Sequence, residues 1–263
     1  MRVLVTGAGS GIGAATARVL ANHGHEVVAT ARRPETLSEL HVAQKLALDV
    51  TSDESVAACV AAAGPIDVLV NNAGISETGP VESYPLDVMQ RMFETNVFGP
   101  LRMIQALVPA MRERGHGIVV NVTSVEGRVA APLAGAYCAT KHALEALSES
   151  LALEIGHFGL RVVIVEPGYI APGMRNGVRH NEDGTPYAEL RAQWSGADET
   201  LVGAEGRPAP ELVGEAIAAA IADPDSPLRV PVGADAEMVL AARAQMDDAA
   251  FHAAMREILG LTW

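Results

Sequence analysis

Three side chains, Ser124, Tyr137 and Lys141, have the types and the spacing needed to move a proton to or from a reacting oxygen. Tyr137 and Lys141 stand four residues apart in a stretch with helical periodicity, so they share one face of a helix. A free tyrosine ionises near pH 10, and a positive charge about 4 Å away contributes on the order of 4 kcal/mol, enough to lower that pKa by about 3 pH units. Ser124 closes a predicted strand thirteen residues before Tyr137, where its hydroxyl can bond to the reacting oxygen. The alternative is a core tyrosine followed by a surface lysine.

A glycine-rich turn between the first predicted strand and the first predicted helix is suited to a pyrophosphate. The turn follows Thr6 and has the pattern G-x-x-x-G-x-G; its residues are Gly7, Ala8, Gly9, Ser10, Gly11, Ile12 and Gly13. The N-terminus of a helix offers unpaired N–H groups and a positive dipole end, and glycines let the backbone approach a phosphate closely. The alternative is a purely structural turn, but the position in the chain favours nucleotide binding.

The end of the second predicted strand carries Arg32 and Arg33 instead of an acidic residue. An acid at that place would accept hydrogen bonds from the ribose hydroxyls of NAD. A guanidinium group instead suits a 2′-phosphate, which it can bond in bidentate fashion. The two arginines therefore predict NADP, with NAD as the less favoured cofactor. The alternative is a solvated pair that opens the next helix.

Taken together, these motifs resemble the short-chain dehydrogenase/reductase family over essentially the whole chain. The matching motifs, in order, are Thr6-Gly7-x-x-x-Gly11-x-Gly13, Asp49-Val50, Asn71-Asn72-Ala73-Gly74, Asn96, Ser124, Tyr137-x-x-x-Lys141 and Pro167-Gly168. The resemblance implies hydride transfer between a nicotinamide and a secondary alcohol or ketone. It implies that Asn96, Ser124, Tyr137 and Lys141 are catalytic, with the oxidised nicotinamide ring helping Lys141 to lower the pKa of Tyr137. Asn96 would hold a water on a proton path to Lys141, although a structural hydrogen bond is the alternative.

The resemblance also implies which residues contact the cofactor. Asp49 would meet the adenine and Val122 would lie beneath the nicotinamide. The further contacts implied are Val50, Asn72, Ala73, Gly74, Tyr137, Lys141, Pro167, Gly168 and Ile170. The chain departs from the family after Pro167-Gly168, where members often carry a threonine and this sequence has Ala171-Pro172-Gly173.

The elements that must position these residues are short apolar strands that alternate with amphipathic helices. The predicted strands are Val3–Thr6, Glu26–Thr30, Lys45–Leu48, Val68–Asn71, Ile118–Asn121, Val162–Glu166 and Leu228–Val232. The predicted helices are Ile12–His23, Ser55–Ala63, Leu86–Arg114 and Ala136–His157. This order predicts an α/β fold with a doubly wound, mostly parallel sheet of about seven strands and helices on both faces, of the Rossmann type. We expect one domain over residues 1–263, with a variable substrate loop at about 171–210.

The substrate side is the least determined part of the sequence. The candidate substrate contacts are Ser124, Glu126, Tyr137, Tyr169 and Trp194. The loop also contains apolar and aromatic residues, namely Met174, Val178, Tyr187 and Leu190. Such residues can close over a hydrophobic substrate and exclude water, or they can pack on the protein's own surface.

Charge and composition exclude several classes of partner. The formal net charge of −13 disfavours nucleic acid and anionic membrane surfaces. Cys59 and Cys138 have no spacing typical of a metal site or a disulfide framework. The sequence opens on a strand rather than on a signal peptide and has no apolar span of transmembrane length, so we expect a cytoplasmic protein. The family resemblance implies a homodimer or homotetramer formed through Leu86–Arg114 and Ala136–His157.

Two other functions are compatible with parts of these motifs. A catalytically silent dinucleotide-binding redox sensor would use the same fold, but it would not need the Asn96, Ser124, Tyr137 and Lys141 set. An epimerase or dehydratase acting on a nucleotide sugar uses a similar Tyr-Lys pair, but the short C-terminal part leaves little room for a sugar-nucleotide domain. An alcohol or ketone of low molecular weight is therefore the expected substrate.

Overall fold

One parallel β-sheet organises the chain. The computed structural model describes residues 1–173, 185–203 and 206–263; the predicted loop residues Met174 and Val178 lie outside these ranges. The strands are β1 (Arg2–Val5), β2 (Glu26–Ala31), β3 (Gln44–Ala47), β4 (Val68–Asn71), β5 (Gly117–Val122), β6 (Leu160–Pro167) and β7 (Arg229–Val232). They lie in the order β3-β2-β1-β4-β5-β6-β7, and every neighbouring pair is parallel. The predicted Rossmann-type sheet of seven strands is confirmed.

Helices cover both faces of this sheet. They are α1 (Gly11–Asn22), α2 (Asp53–Ala63), α3 (Leu86–Phe93), α4 (Gly99–Arg114), α5 (Gly135–Ile155), α6 (Ala188–Trp194), α7 (Ala197–Val202), α8 (Glu211–Ala222), α9 (Ala234–Gln245) and α10 (Asp248–Ile258). Val3 and Val5 belong to the core under α1 and α8, whereas Leu4 belongs to the core under α2 and α4. Successive strand residues point to opposite faces, so a run of apolar residues is what a strand buried on both faces requires.

The order of the strands creates a crevice at the carboxyl edge of the sheet. The chain proceeds from β1 outward to β3 on one side and then from β4 outward to β7 on the other. Crossover connections therefore leave β1 and β4 in opposite directions, and ligands of open α/β sheets bind outside the carboxyl ends of the strands at such a point. The glycine turn follows β1, Asn72–Gly74 follows β4, and Ser124 lies just beyond β5.

Two predictions about helices need correction. The predicted helix Leu86–Arg114 is divided into α3 and α4 by one turn of π-helix, Glu94–Phe98, which contains Asn96. A π turn inserts an extra residue without breaking the apolar pattern, so the sequence shows one continuous helix. The loop predicted at about 171–210 contains α6 and α7 in its described part, because short amphipathic helices give too few turns for a clear period.

The described residues contain neither a candidate transmembrane helix nor a candidate metal cluster. No helix among them is long and apolar enough to cross a membrane. No group of three or more His, Cys, Asp or Glu side chains among them is arranged to hold a metal ion. Cys59 and Cys138 are both buried free thiols.

Candidate active site

A single large cavity contains most of the predicted site residues. Its volume is about 1360 Å³, above the range of roughly 300–1,000 Å³ that small-ligand pockets usually occupy. Its lining includes the glycine turn, the two arginines after β2, Tyr137 and Lys141 of α5, and parts of α6 and α10. The cavity is therefore larger than the usual pocket for one small ligand.

The glycine turn is built for close approach of backbone segments. Gly7 has φ +68°, a left-handed conformation that favours glycine, and a Cβ on it would lie 2.8 Å from the Cα of Ala73. A Cβ on Gly13 would collide with the side-chain amide of Asn72 and the carbonyl of Gly7. The Ser10 side chain makes no capping bond to α1, so it does not occupy the N–H groups of the first helical turn. The turn thus offers bare backbone donors to an anion.

Thr6 and Asn72 hold this turn in position through hydrogen bonds. The Thr6 hydroxyl accepts hydrogen bonds from the backbone N–H groups of Asn72 (2.9 Å) and Ala73 (3.0 Å). The Asn72 side chain donates to the Thr6 carbonyl at 2.9 Å. Asn72 lines the cavity as predicted, but its amide is committed to the protein backbone. Thr6, the first residue of the glycine motif, thus joins β1 to the segment after β4.

Arg32 and Arg33 lie where the sequence predicts them, after β2, and both are exposed and line the cavity. Neither forms an ion pair with any carboxylate in the described part of the chain. Asp49 lies nearby, and its carboxylate accepts hydrogen bonds from the N–H (3.0 Å) and hydroxyl (2.7 Å) of Thr51. Burial alone would raise the pKa of Asp49, but the Thr51 bonds and the charge of Arg32 outweigh it and lower that pKa.

Tyr137 and Lys141 share one buried face of α5. Their side chains are 6% and 4% exposed, and the Lys141 Nζ lies 5.6 Å from the centre of the Tyr137 ring. The Lys141 ammonium donates a hydrogen bond to the carbonyl of Val122 at 3.0 Å, which ties α5 to the end of β5. Val122 itself is buried beside the cavity. The predicted pairing of the phenol with a nearby cation is present in the fold.

Ser124 connects the ends of two strands next to the phenol. Its hydroxyl donates to the carbonyl of Pro167 at 3.4 Å and accepts from the N–H of Glu126 at 3.1 Å. A hydrogen bond with Ser124 also lowers the pKa of Tyr137. The serine hydroxyl therefore meets the Tyr137 phenol at the carboxyl edge of β5 and β6.

Within the protein itself, burial and the Glu126 carboxylate dominate the pKa of Tyr137. Burial raises the pKa of Tyr137 well above its ordinary value, the Glu126 carboxylate raises it further, and the Ser124 bond only partly offsets them. Burial lowers the pKa of Lys141 to about 8, against the raising influence of Glu145 and Glu126. Burial raises the pKa of Glu126 to about 7, against the charge of Lys141. The protein alone therefore keeps the Tyr137 proton in place at neutral pH.

Asn96 is fixed by hydrogen bonds inside the π turn. Its Oδ1 accepts from the N–H of Ile75 at 2.9 Å, and its Nδ2 donates to the Ile75 carbonyl at 2.8 Å and to the Thr140 hydroxyl at 3.1 Å. Thr140 in turn donates to the carbonyl of Tyr137 at 2.7 Å. Both protons of the Asn96 amide are donated to protein acceptors, as expected if Asn96 makes structural hydrogen bonds, the alternative role given above. The water on a proton path to Lys141 stays a prediction, and Thr140 was missed because one threonine inside a helix carries no sequence signal.

The other predicted contacts are distributed around the same cavity. A Cβ on Gly74 would lie 3.4 Å from the Asn96 Oδ1, so this glycine borders the catalytic candidates. The remaining predicted contacts that line the cavity are Gly9, Gly11, Ile12, Val50, Glu126, Pro167, Gly168, Tyr169, Ile170 and Trp194. Val50 is largely a packing residue, since a Cβ on Gly99 would come within 2.7 Å of its Cγ2.

One wall of the cavity, here called the C-terminal wall, comes from the C-terminal third of the chain. Besides Trp194, the cavity lining includes Phe251 and Met255 of α10, and Trp263. Gln193 links α6 to the C-terminal tail. Its Nε2 donates to the Thr262 hydroxyl at 3.0 Å, and its Oε1 accepts from the backbone N–H of Thr262 at 3.0 Å. The sequence predicts Trp194, but it gives no signal for the α10 and tail residues, which lie far from the recognised motifs.

The chain is similar to known oxidoreductases over most of its length. A family model described as short chain dehydrogenase matches residues 1–183. The 3-ketodihydrosphingosine reductase of Bacteroides thetaiotaomicron is 34% identical over 244 residues, covering 88% of this chain and 87% of that protein. A short-chain dehydrogenase structure from Streptomyces avermitilis has a TM-score of 0.84 and 36% identity, covering 100% of this chain and 98% of that one. A short chain dehydrogenase from Burkholderia cenocepacia, in complex with NADP, has a TM-score of 0.77 and 29% identity, covering 97% of this chain and 96% of that one.

Proposed function

The chain belongs to the short-chain dehydrogenase family and is an oxidoreductase, and we propose that it transfers a hydride between NADP(H) and a secondary alcohol or ketone, with Tyr137 as general acid/base. The observation that carries the proposal is the buried pair Tyr137 and Lys141 beside Ser124, in the same cavity as the glycine turn. Reduction of a ketone delivers a hydride to carbon and a proton to oxygen. An acid/base group next to a dinucleotide cradle supports this reaction.

The residues present fit NADP(H). Bare backbone donors at the start of α1 suit a pyrophosphate, and a Cβ on Gly7 or Gly13 would fill the space that brings the backbone segments together. Arg32 and Arg33 carry unneutralised charge at the cavity, which suits a 2′-phosphate. The Burkholderia cenocepacia relative in complex with NADP supports the same cofactor. When bound, NADPH supplies the hydride.

The protein's own residues supply and guide the proton. Because burial and Glu126 keep the pKa of Tyr137 high, the phenol retains its proton at neutral pH and donates it to the ketone oxygen during reduction. The Ser124 oxygen is held by the Glu126 N–H, and its one proton turns from the long bond to the Pro167 carbonyl to donate to the same substrate oxygen. Lys141, anchored on the Val122 carbonyl, orients the cofactor ribose and lowers the cost of forming the phenolate in oxidation.

The substrate lies between the catalytic pair and the C-terminal wall. Trp194 and Tyr169 are half-buried and line the cavity, so they supply apolar surface for the body of the substrate. Glu126 is half-buried beside Ser124, and its carboxylate has no hydrogen-bond partner within the described ranges, so it accepts a bond from a polar group of the substrate. The Bacteroides thetaiotaomicron reductase, whose name refers to a keto substrate, supports a ketone as the oxidised partner.

To test this function, the enzyme is mixed with NADPH or NADH and each of a panel of ketones. The reaction is measured as the loss of the reduced-nicotinamide absorbance. Tyr137→Phe keeps the ring and removes the proton, so turnover should fall by about 10²–10⁴ while dinucleotide affinity changes little. Tyr84→Phe is the matched control, because this half-buried tyrosine packs near Met92 outside the cavity lining. Dinucleotide binding without turnover on any ketone would instead indicate the silent redox sensor, and a Tyr137→Phe variant within about threefold of wild type would contradict the acid/base role.

We also propose that the protein forms a homodimer or homotetramer through Leu86–Arg114 and Ala136–His157, the segments that contain α3, α4 and nearly all of α5. Leu153 of α5 is 83% exposed, Leu147 of the same helix is 39% exposed, and Phe158 just after it is 43% exposed. Apolar side chains gathered on one helix in this way are suited to burial against a second copy. Light scattering on the purified protein measures the assembly directly.

A further inference from the structure

We propose that Asp235 is a positioning residue that holds the segment Gly168–Ile170 in place for the nicotinamide end of the cofactor. The segment follows β6 and lines the cavity, and Asp235 lies 66 residues later in the chain, in the first turn of α9. None of the recognised motifs includes this aspartate. The inference rests on the proposed function, since it concerns how the same cavity receives its dinucleotide.

Asp235 makes a short hydrogen bond to the backbone of this segment. Its Oδ2 accepts from the N–H of Tyr169 at 2.7 Å, and the side chain is 6% exposed. Within the described ranges no cation forms an ion pair with the carboxylate. A nearly buried carboxylate needs donors around it, and here they come from a backbone segment that lies at the cavity. The bond therefore fixes the path of the chain just after Gly168.

Two glycines leave the space that the carboxylate occupies. A Cβ on Gly168 would collide with both oxygens of Asp235, and a Cβ on Gly233 would lie 2.7 Å from its Oδ1. Gly233 also has φ +107°, a conformation that side chains rarely adopt, and it turns the chain from β7 into α9. The backbone N–H of Gly168 donates to the carbonyl of Val232 at 3.0 Å. The ends of β6 and β7 are thus fitted around one carboxylate.

This arrangement gives Asp235 a specific effect on one part of the cofactor. The adenosine side, at the glycine turn and Arg32, is formed by β1, α1 and β2, which do not contact Asp235 through any hydrogen bond described for it. By the family resemblance, the backbone of Ile170 is the expected contact of the nicotinamide carboxamide, and Gly168 is an expected cofactor contact in the same segment. Loosening them should therefore weaken binding of an intact dinucleotide and leave a fragment without the nicotinamide largely unaffected.

The experiment measures the Kd of NADPH and of 2′-phospho-ADP-ribose, which lacks the nicotinamide, by calorimetry on wild type and on Asp235→Ala. NADH and ADP-ribose serve as the second pair of probes. We expect Asp235→Ala to weaken dinucleotide binding by about tenfold or more, the size of one lost hydrogen bond to a charged group, and to change fragment binding by less than about threefold. Asp235→Asn keeps an acceptor oxygen of the same reach and should restore most of the dinucleotide affinity.

A matched control separates positioning from general loss of structure. Asp247→Ala removes the same kind of bond at the start of α10, where an exposed Asp247 accepts from the N–H of Ala250 at 2.8 Å, and it should leave both Kd values at wild-type levels. If Asp235→Ala does not fold, Asp235→Ser replaces it, since serine suits the start of a helix but is too short for the bond to Tyr169. Equal weakening of dinucleotide and fragment, or no weakening of either, would overturn the inference. Wild-type protein that binds neither dinucleotide overturns the proposed function as well.

Discussion

Replacing Arg32 with alanine tests the choice of cofactor most directly. Arg32 is exposed, lines the cavity and forms no ion pair in the described part of the chain, so its charge is available to a 2′-phosphate. The substitution removes that charge without breaking a bond within the described protein. Its effect should therefore be confined to the phosphate of NADP and should spare the use of NAD.

The expected size follows from the exposure of the arginine. A hydrogen bond to a charged group contributes about 1.5–3 kcal/mol, and each 1.4 kcal/mol corresponds to about tenfold. Because Arg32 is open to solvent, the lower end applies, and Arg33 retains part of the attraction. We expect kcat/KM for NADP to fall by about tenfold relative to that for NAD.

A second variant should reverse the preference rather than only weaken it. Ala31 ends β2, is 8% exposed and lies near Gly9, since a Cβ on Gly9 would be 3.5 Å from the Ala31 Cβ. The double variant Ala31→Asp, Arg32→Ala places a carboxylate at the edge of the turn, where it repels a 2′-phosphate and accepts from the ribose hydroxyls of NAD. The double variant should therefore prefer NAD.

The assay is kcat/KM for both cofactors at one ionic strength, because salt screens exposed phosphate contacts. Lys45→Ala is the control for net charge, since Lys45 is an exposed cation of β3 that lies outside the cavity lining and outside the proposed oligomer interface. Wild-type preference for NAD would refute the reasoning. So would an Arg32→Ala variant whose NADP/NAD ratio equals that of Lys45→Ala.

Two further predictions concern the charges around Tyr137. Lys141→Met should weaken dinucleotide binding and lower turnover. It should also move the rising limb of the oxidation pH profile, where Tyr137 loses its proton and becomes the base, to higher pH; normal binding with an unmoved profile would reduce Lys141 to a structural residue. Glu126→Gln should move the same limb to lower pH, because the ionised Glu126 raises the pKa of Tyr137 and the neutral amide does not. With the pKa of Glu126 at about 7, wild type and Glu126→Gln should differ most above pH 7 and converge below it, where the carboxyl is already protonated; superimposable profiles at all pH values would contradict this coupling.

Local patterns were sufficient to predict the sheet and the pairing of Tyr137 with Lys141. Both depend on short-range periodicity: apolar runs make the strands, and a spacing of four places two side chains on one helix face. The effects of burial and of the Glu126 carboxylate on the pKa of Tyr137 could not be predicted in this way, because they act through the fold rather than along the chain. Burial cannot be obtained from the spacing of two residues.

Contacts between distant segments were the other part that the sequence did not reveal. Asp235 meets Tyr169 across 66 residues, and Gln193 meets Thr262 across 69. Neither pair has a periodic or compositional signature, because each depends on where two strands or helices end in space. The sequence also did not predict the π turn around Asn96, because the apolar pattern continues through it.

The bonds between Gln193 and the tail matter for protein engineering. Gln193 uses both ends of its amide on Thr262 and Trp263, so α6 and residues 262–263 hold one another in place at the cavity. The glycine turn is built from other residues near the start of the sequence. A laboratory library aimed at the proposed substrate choice can therefore vary α6 and residues 262–263 together and leave the glycine turn as it is.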